Sequence, residues 1–177
     1  MMKSSLYATE RLGHNLNVAG LLGICLTLLI AFFYQLVLHD LPCPLCLLQR
    51  AGLIMVGLAF MMNIRFGEKG QYYAIALLGA IGTGCIATRQ VLLHIVPGSG
   101  SYGSALFGLH FYTWALLCSV GLILYVAAML MQYRHRTEDA GEVGVSKIAG
   151  LSMLLFAVLI AANLGFIFLQ CGFGECG

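Results

Sequence analysis

Five stretches of this 177-residue chain run for about twenty residues or more with at most one charge each, and no other feature constrains the fold as strongly. A helix rises about 1.5 Å per residue, so roughly 20 apolar residues cross the ~30 Å hydrocarbon layer of a bilayer. In lipid each backbone amide needs a partner within its own segment, which makes such runs transmembrane helices. The spans are expected at about 16–38, 44–64, 72–96, 109–132 and 148–170, within a single membrane domain covering 1–177. Composition agrees: 60% of residues are hydrophobic and 9% are charged, against about 25% charged in a soluble domain. The first run, a full bilayer thickness long and without an A-x-A-type site, is read as a retained span rather than a cleaved signal.

The breaks between runs carry the punctuation. His39-Asp40-Leu41-Pro42 ends the first, and Pro44 suits the first position of the second helix, where no amide partner is lost. Arg65 to Gln71 is a polar turn, and the glycine and serine run 97–104 is expected to lie as a loop over the surface. Basic residues divide unevenly among these breaks. Positions 3, 11, 65, 69, 134, 136 and 147 lie on one side, and the segments 39–42 and 97–108 on the other hold no Lys or Arg. The positive-inside rule therefore puts the N-terminus in the cytoplasm and, after five crossings, residues 171–177 outside. Cys43, Cys46, Cys171 and Cys176 then share the outer face. A bacterial inner membrane facing an oxidising periplasm is the natural setting. Basic runs interleaved with aromatics are absent from the sequence, so nucleic-acid binding is not expected.

The seven cysteines fall into two close pairs and three singles. Cys25, Cys85 and Cys118 lie inside spans and are expected to behave as small apolar side chains. Cys43 and Cys46 bracket Pro44 and Leu45, which puts Cys43 near the N-cap of the second helix and Cys46 in its first turn. Unpaired amides and the helix dipole favour an anion there, so a thiolate would be stabilised. Arg50 follows Cys46 by four residues, on the same helix face about one turn deeper, and does not lose its proton. A permanent cation just inside the membrane is costly without a partner or a task. The competing reading has Arg50 snorkelling to the headgroups beside a static disulfide. The Cys171/Cys176 pair stays open between an exposed disulfide loop, a redox shuttle, and half of a four-thiolate zinc site. Zinc is disfavoured because no histidine or carboxylate has clear ligand spacing, and no metal is expected. Arg89, inside the third run, is a functional candidate by position, although pairing with Asp40, Glu175 or headgroups would also account for it. His39, His94 and His110 fall near the outer interface.

The segment Leu41-Pro42-Cys43-Pro44-Leu45-Cys46-Leu47-Leu48-Gln49-Arg50 resembles the P-C-x-L-C-x-x-x-R element of the DsbB family of membrane thiol:quinone oxidoreductases. Two weaker features support it. The third run ends in polar residues before Pro97, and Gly108-Leu109-His110-Phe111-Tyr112-Thr113-Trp114 is similar to the family's G-L-x-x-P-x-W segment. The resemblance covers about residues 16–133 and implies an all-α integral membrane fold, a DsbB-like four-helix transmembrane bundle, here with a fifth transmembrane helix added. It implies a protein that reoxidises a periplasmic thioredoxin-fold thiol oxidase of the DsbA type and passes electrons to ubiquinone or menaquinone. Carried onto this chain, Cys46 would be the thiolate facing the quinone, Cys43 its disulfide partner, and Arg50 the cation supporting thiolate and quinone oxygen. Gln90 falls where some members carry a quinone-side histidine, and Arg89 lies beside it.

The chain departs from the family pattern in its second outer loop, where family members carry another cysteine pair; residues 97–108 contain none. The pair Cys171/Cys176 is proposed to take over that shuttle role, the alternative being direct attack by the partner on Cys43–Cys46. Two other functions compete: a reductase resembling vitamin K epoxide reductase or an electron exporter, and a membrane anchor or assembly protein with structural disulfides or a four-cysteine zinc site.

Overall fold

The computed structural model describes residues 2–37, 43–95, 105–134 and 146–171, with side chains placed from Arg11 onward and, near the ends of α4 and α5, up to Tyr133 and Leu169. Each of the five apolar runs is a helix: α1 Met2–Val37, α2 Pro44–Phe66, α3 Gly70–Leu93, α4 Phe111–Arg134 and α5 Lys147–Cys171. All five contain segments long and apolar enough to cross a membrane. Several expected boundaries shift by two residues or more, three of them for a local reason. Helix α1 starts at Met2, well before the apolar run, because the polar opening segment holds no proline or glycine before Gly13. Helix α3 stops at Leu93 rather than 96, since the His94 N–H turns back to the Val91 carbonyl at 3.1 Å. Leu109 and His110, expected inside the fourth span, instead form a strand.

That strand belongs to a two-residue hairpin of β1 (Ala105–Leu106) and β2 (Leu109–His110), antiparallel, with Ala105 opposite His110 and Leu106 opposite Leu109. Its turn is Phe107-Gly108, with φ of 52° and 80°. Positive φ at both central residues matches the twist of paired strands and suits Gly108, whereas Phe107 adopts it against the preference of a side chain with a Cβ. The Trp114 indole N–H donates to the Leu106 carbonyl at 2.9 Å and pins the hairpin to the first turn of α4.

The helices alternate in direction, so the end of α1, the start of α2, the end of α3, the start of α4 and the end of α5 share one end of the bundle. Helix α2 packs between α1 and α3, α4 packs on α3, and α5 packs on α1. Lipid supplies no hydrophobic drive for helices to associate, so small residues that allow close approach matter more than apolar area. At Gly52 and Gly79 each backbone nearly touches the other: a Cβ on Gly79 would lie 2.8 Å from the Gly52 carbonyl, and one on Gly52 would lie 3.0 Å from the Gly79 carbonyl. Gly57 plays a similar part for α5, since a Cβ there would collide with the Phe156 ring. Leu21, Val56, Phe60, Tyr73 and Phe156 fill the core between these contacts. Polar side chains tie the opposite end together: Asn17 donates to the Tyr73 hydroxyl at 3.0 Å and accepts from the Asn63 amide at 3.1 Å.

Candidate functional site

Pro44 opens α2, leaving Cys43 as its N-cap in an extended conformation (φ −68°, ψ 157°). The Cys43 sulfur accepts the Cys46 backbone N–H at 3.1 Å, one of the orphan donors of a helix start. Cys43 and Cys46 are joined as a disulfide, with Cα atoms 5.1 Å apart. The expected placement of the pair at the helix start is what the structure shows.

The close crossing of α2 and α3 brings a pair of buried amides to this disulfide. Side chains tilt toward the N-terminus of their own helix, and because α2 and α3 run antiparallel, Gln49 and Gln90 lean toward each other. The Gln49 amide donates to Gln90 Oε1 at 2.8 Å. With its oxygen engaged, Gln90 turns its NH₂ to the sulfurs, at 3.4 Å from Cys43 Sγ and 3.7 Å from Cys46 Sγ. Gln90 is 2% exposed, so water does not compete for this donor. One turn further along α3, the His94 ring Nδ1 lies 2.8 Å from the Gln90 backbone carbonyl. A carbonyl only accepts, so Nδ1 carries the proton. The His94 ring also stacks on Tyr112, which stacks in turn on His110.

Arg50 sits one turn below Cys46 and is held by acceptors on two other helices, α1 and α5. Its Nη1 donates to Gln35 Oε1 of α1 and to Asn163 Oδ1 of α5, the latter at 3.3 Å. Its Nη2 donates to the Ala31 carbonyl at 3.1 Å. Each of these acceptors is neutral, so they orient the guanidinium without cancelling its charge.

Cys46, Gln49, Arg50 and Gln90 open onto a cavity of about 350 Å³, together with Gln35. Its walls are mostly apolar: Ile30, Ala31 and Tyr34 from α1, Leu53 from α2, and Phe111, Tyr112 and Trp114 from α4, with Leu106 and Phe107 of the hairpin. A concave apolar site with a few converging polar groups is the usual form of a small-molecule pocket. It suits a flat ring carrying polar oxygens, for which the residues present offer aromatic walls and a fixed cation.

Of the residues singled out by sequence, Cys43, Cys46, Arg50 and Gln90 come together here. Arg89 does not; it lies on the exposed face of α3, outside the cavity wall. Cys25 is buried in the core, Cys85 is exposed, and Cys118 lines the cavity. Cys171 is the last residue of α5, while its side chain, Cys176, His39, Asp40 and Glu175 lie outside the described residues. Gln35, Gln49 and Asn163 are the members that motif reading passed over. The available signal was chemical: an amide side chain in an otherwise apolar span is costly and seldom idle.

A model of the family described as Disulfide bond formation protein DsbB matches residues 13–101, half of the chain. The chain belongs to the DsbB family. The match takes in α1 from Gly13 onward, α2 and α3, hence the disulfide, Arg50 and Gln90; α4 and α5 lie beyond it. Proteins named Disulfide bond formation protein B are similar to this DsbB-family chain. One in Hahella chejuensis is 33% identical over 86 residues, 46% of this chain and 48% of the relative. One in Marinobacter nauticus is 37% identical over 83 residues, 45% of this chain and 46% of the relative. Disulfide bond formation protein B 1 of Pseudomonas fluorescens is 48% identical over 94 residues, 50% of this chain and 56% of the relative. The chain thus spans about half the length of the curated relatives it matches. No solved structure gives a significant match. Family and helices together make this a multi-pass protein of a bacterial inner membrane.

Proposed function

We propose that this protein is a thiol:quinone oxidoreductase that reoxidises a periplasmic DsbA-like thiol oxidase and so supports disulfide formation in secreted proteins. The observation that carries this reading is the Cys43–Cys46 disulfide with Cys46 in the wall of an apolar cavity, beside an arginine whose acceptors among the described residues are all neutral. A dithiol of the partner becomes a disulfide while Cys43–Cys46 opens to two thiols, by thiol–disulfide exchange. The two thiols can re-form their disulfide only by giving up two electrons and two protons to an acceptor held at the cavity. A ubiquinone or menaquinone bound there would supply the oxidising power by accepting both electrons and both protons. Cys46, Arg50 and Gln90 would hold its ring end, against Tyr34, Tyr112 and Trp114.

In this cycle the chain's residues act on the sulfurs. The Cys46 backbone N–H donates to the Cys43 sulfur and Gln90 donates to both, which favours the thiolate over the thiol. Arg50 adds a fixed positive charge on the same wall. The tail pair Cys171/Cys176 receives electrons from the partner and passes them to Cys43–Cys46. Supporting this route, α5 rises eight residues, about 12 Å, from Asn163 at the level of Arg50 to Cys171, and α2 reaches Cys43 over a similar distance in the same direction. The positive-inside distribution of Lys and Arg supports a cytoplasmic N-terminus, with the cysteine pairs periplasmic.

Thiol trapping of the reduced, purified protein with and without added quinone tests the central claim. Cys43 and Cys46 are expected to become resistant to alkylation within the reaction time only when quinone is present. Reoxidation at one rate regardless of quinone would sink the reading. Trapping with the partner oxidase tests the relay: a mixed disulfide at Cys171 or Cys176 is expected, and an adduct found at Cys43 alone would remove the tail from the path.

A further inference from the structure

Helix α5 lies outside the segment that matches the family model, yet among the described residues it reaches the site through Asn163, whose Oδ1 accepts from Arg50 Nη1 at 3.3 Å. Asn163 is 3% exposed and its own NH₂ is engaged by the Leu159 carbonyl at 2.9 Å, which fixes the amide with its oxygen toward Arg50. Phe156, two turns before, is fully buried and seated over Gly57 of α2, so α5 is registered against α2 at the depth that brings Asn163 to Arg50. We propose that Asn163 is a positioning residue for the redox site: with Gln35 it aims the Arg50 guanidinium while leaving its charge uncancelled. This rests on the reading of Cys46 and Arg50 as the site's thiolate and cation.

The reason for an amide is electrostatic. At a depth where an arginine needs acceptors, a carboxylate would satisfy the hydrogen bonds equally well and pair with the charge, leaving little field for the Cys46 sulfur. Two amides and a backbone carbonyl engage three of the five guanidinium N–H donors and leave the positive charge to whatever anion forms in the cavity. The fifth helix is therefore part of the site and not only a membrane anchor. The titratable groups lining the cavity with Cys46 and Arg50 are Tyr34 of α1 and Tyr112 and Cys118 of α4; α3 brings His94 against the Gln90 carbonyl, and α5 presents Asn163.

The test compares Asn163→Ala and Asn163→Asp in the full-length protein in lipid nanodiscs, in a Cys43→Ser background that leaves Cys46 free. The pH at half-maximal alkylation of Cys46 is read without quinone, and quinone reduction is read separately with both cysteines present. Leu164→Ala, on the exposed face of α5, is the control and should match the parent in both. Asn163→Ala should raise the alkylation midpoint by about half a pH unit and slow quinone reduction several-fold. Asn163→Asp, which restores the acceptor but neutralises the cation, should raise it by a unit or more and slow reduction at least tenfold. A purely structural role predicts the reverse order, with the aspartate tolerated better than the alanine, and that result overturns the proposal. Parent-like midpoints in both variants also overturn it. Should the parent fail to reduce quinone while the midpoints still rise in the order alanine, then aspartate, the quinone reading fails and the positioning role stands. Thermal unfolding of each variant separates loss of fold from loss of field.

Discussion

At the scale of single residues, the site works through hydrogen bonds that leave charge available. Gln90 shows the logic. Its oxygen is held by Gln49, its NH₂ faces both sulfurs, and it is buried. Replacing it as Gln90→Leu removes a donor to the thiolate and also strands the Gln49 amide, costing about 1–3 kcal/mol for a buried unsatisfied group. Reduced Cys46 should then alkylate with a midpoint at higher pH, because the anionic form has lost a donor, and the protein should unfold at lower temperature. The double change Gln49→Leu with Gln90→Leu should recover part of the thermal stability but none of the shift in thiol reactivity, since only the stranded amide has been repaired. Arg50→Lys tests the three-acceptor fork. Lysine keeps the charge on a flexible stem without the planar geometry that reaches acceptors on α1 and α5 at once. Quinone reduction should fall about 10- to 100-fold, in line with ~1.5–3 kcal/mol for hydrogen bonds to a charged group, as measured by initial rates at saturating partner.

At the scale of elements, the site depends on how closely α2 and α3 approach. Gly52 and Gly79 face each other with no room for a Cβ, and Thr83 donates to the Gly79 carbonyl at 2.9 Å beside the same crossing. Gly79→Val should force the helices apart at a cost of about 1–3 kcal/mol, as overpacking usually does. Because the Gln49–Gln90 bond spans that interface, the same change should weaken protection of the disulfide. Faster reduction of Cys43–Cys46 by dithiothreitol in Gly79→Val than in the parent is the expected result. The equivalent change at Gly82, where a Cβ would meet nothing within 4 Å, should leave both stability and reduction rate close to the parent. The hairpin between α3 and α4 belongs to the same scale. Tied by Trp114 to the first turn of α4, it brings Leu106 and Phe107 to the cavity wall, a role that no motif in this stretch announces.

At the scale of the whole molecule, the proposed orientation can be checked directly. Cysteines introduced as Ser4→Cys and Ser101→Cys should label oppositely with a membrane-impermeant maleimide in intact cells, with only the second reacting above the background of the unsubstituted protein. Labelling of position 4 alone would invert the topology and remove the periplasmic setting. The five helices are legible in the sequence because lipid imposes one rule on every backbone amide, and a long uncharged run has one way to obey it. The disulfide at the start of α2 is equally legible, since Pro44 and the Cys43/Cys46 spacing set the cap locally, and the motif around them points to the family. What a one-dimensional reading does not supply is which distant polar groups meet. Gln35, Gln49, Gln90 and Asn163 lie on four different helices, and nothing in their local sequence says they converge on one arginine and one pair of sulfurs. Nor does a position inside a span separate Arg89, which faces outward, from Arg50, which faces the cavity: helix rotation about its own axis is decided by packing. The sequence by itself determined the number of helices and the cysteine pair at the capped start of α2. Only tertiary structure decided the partners of Arg50, because glycine contacts at Gly52, Gly57 and Gly79 set the depth and rotation at which the helices meet.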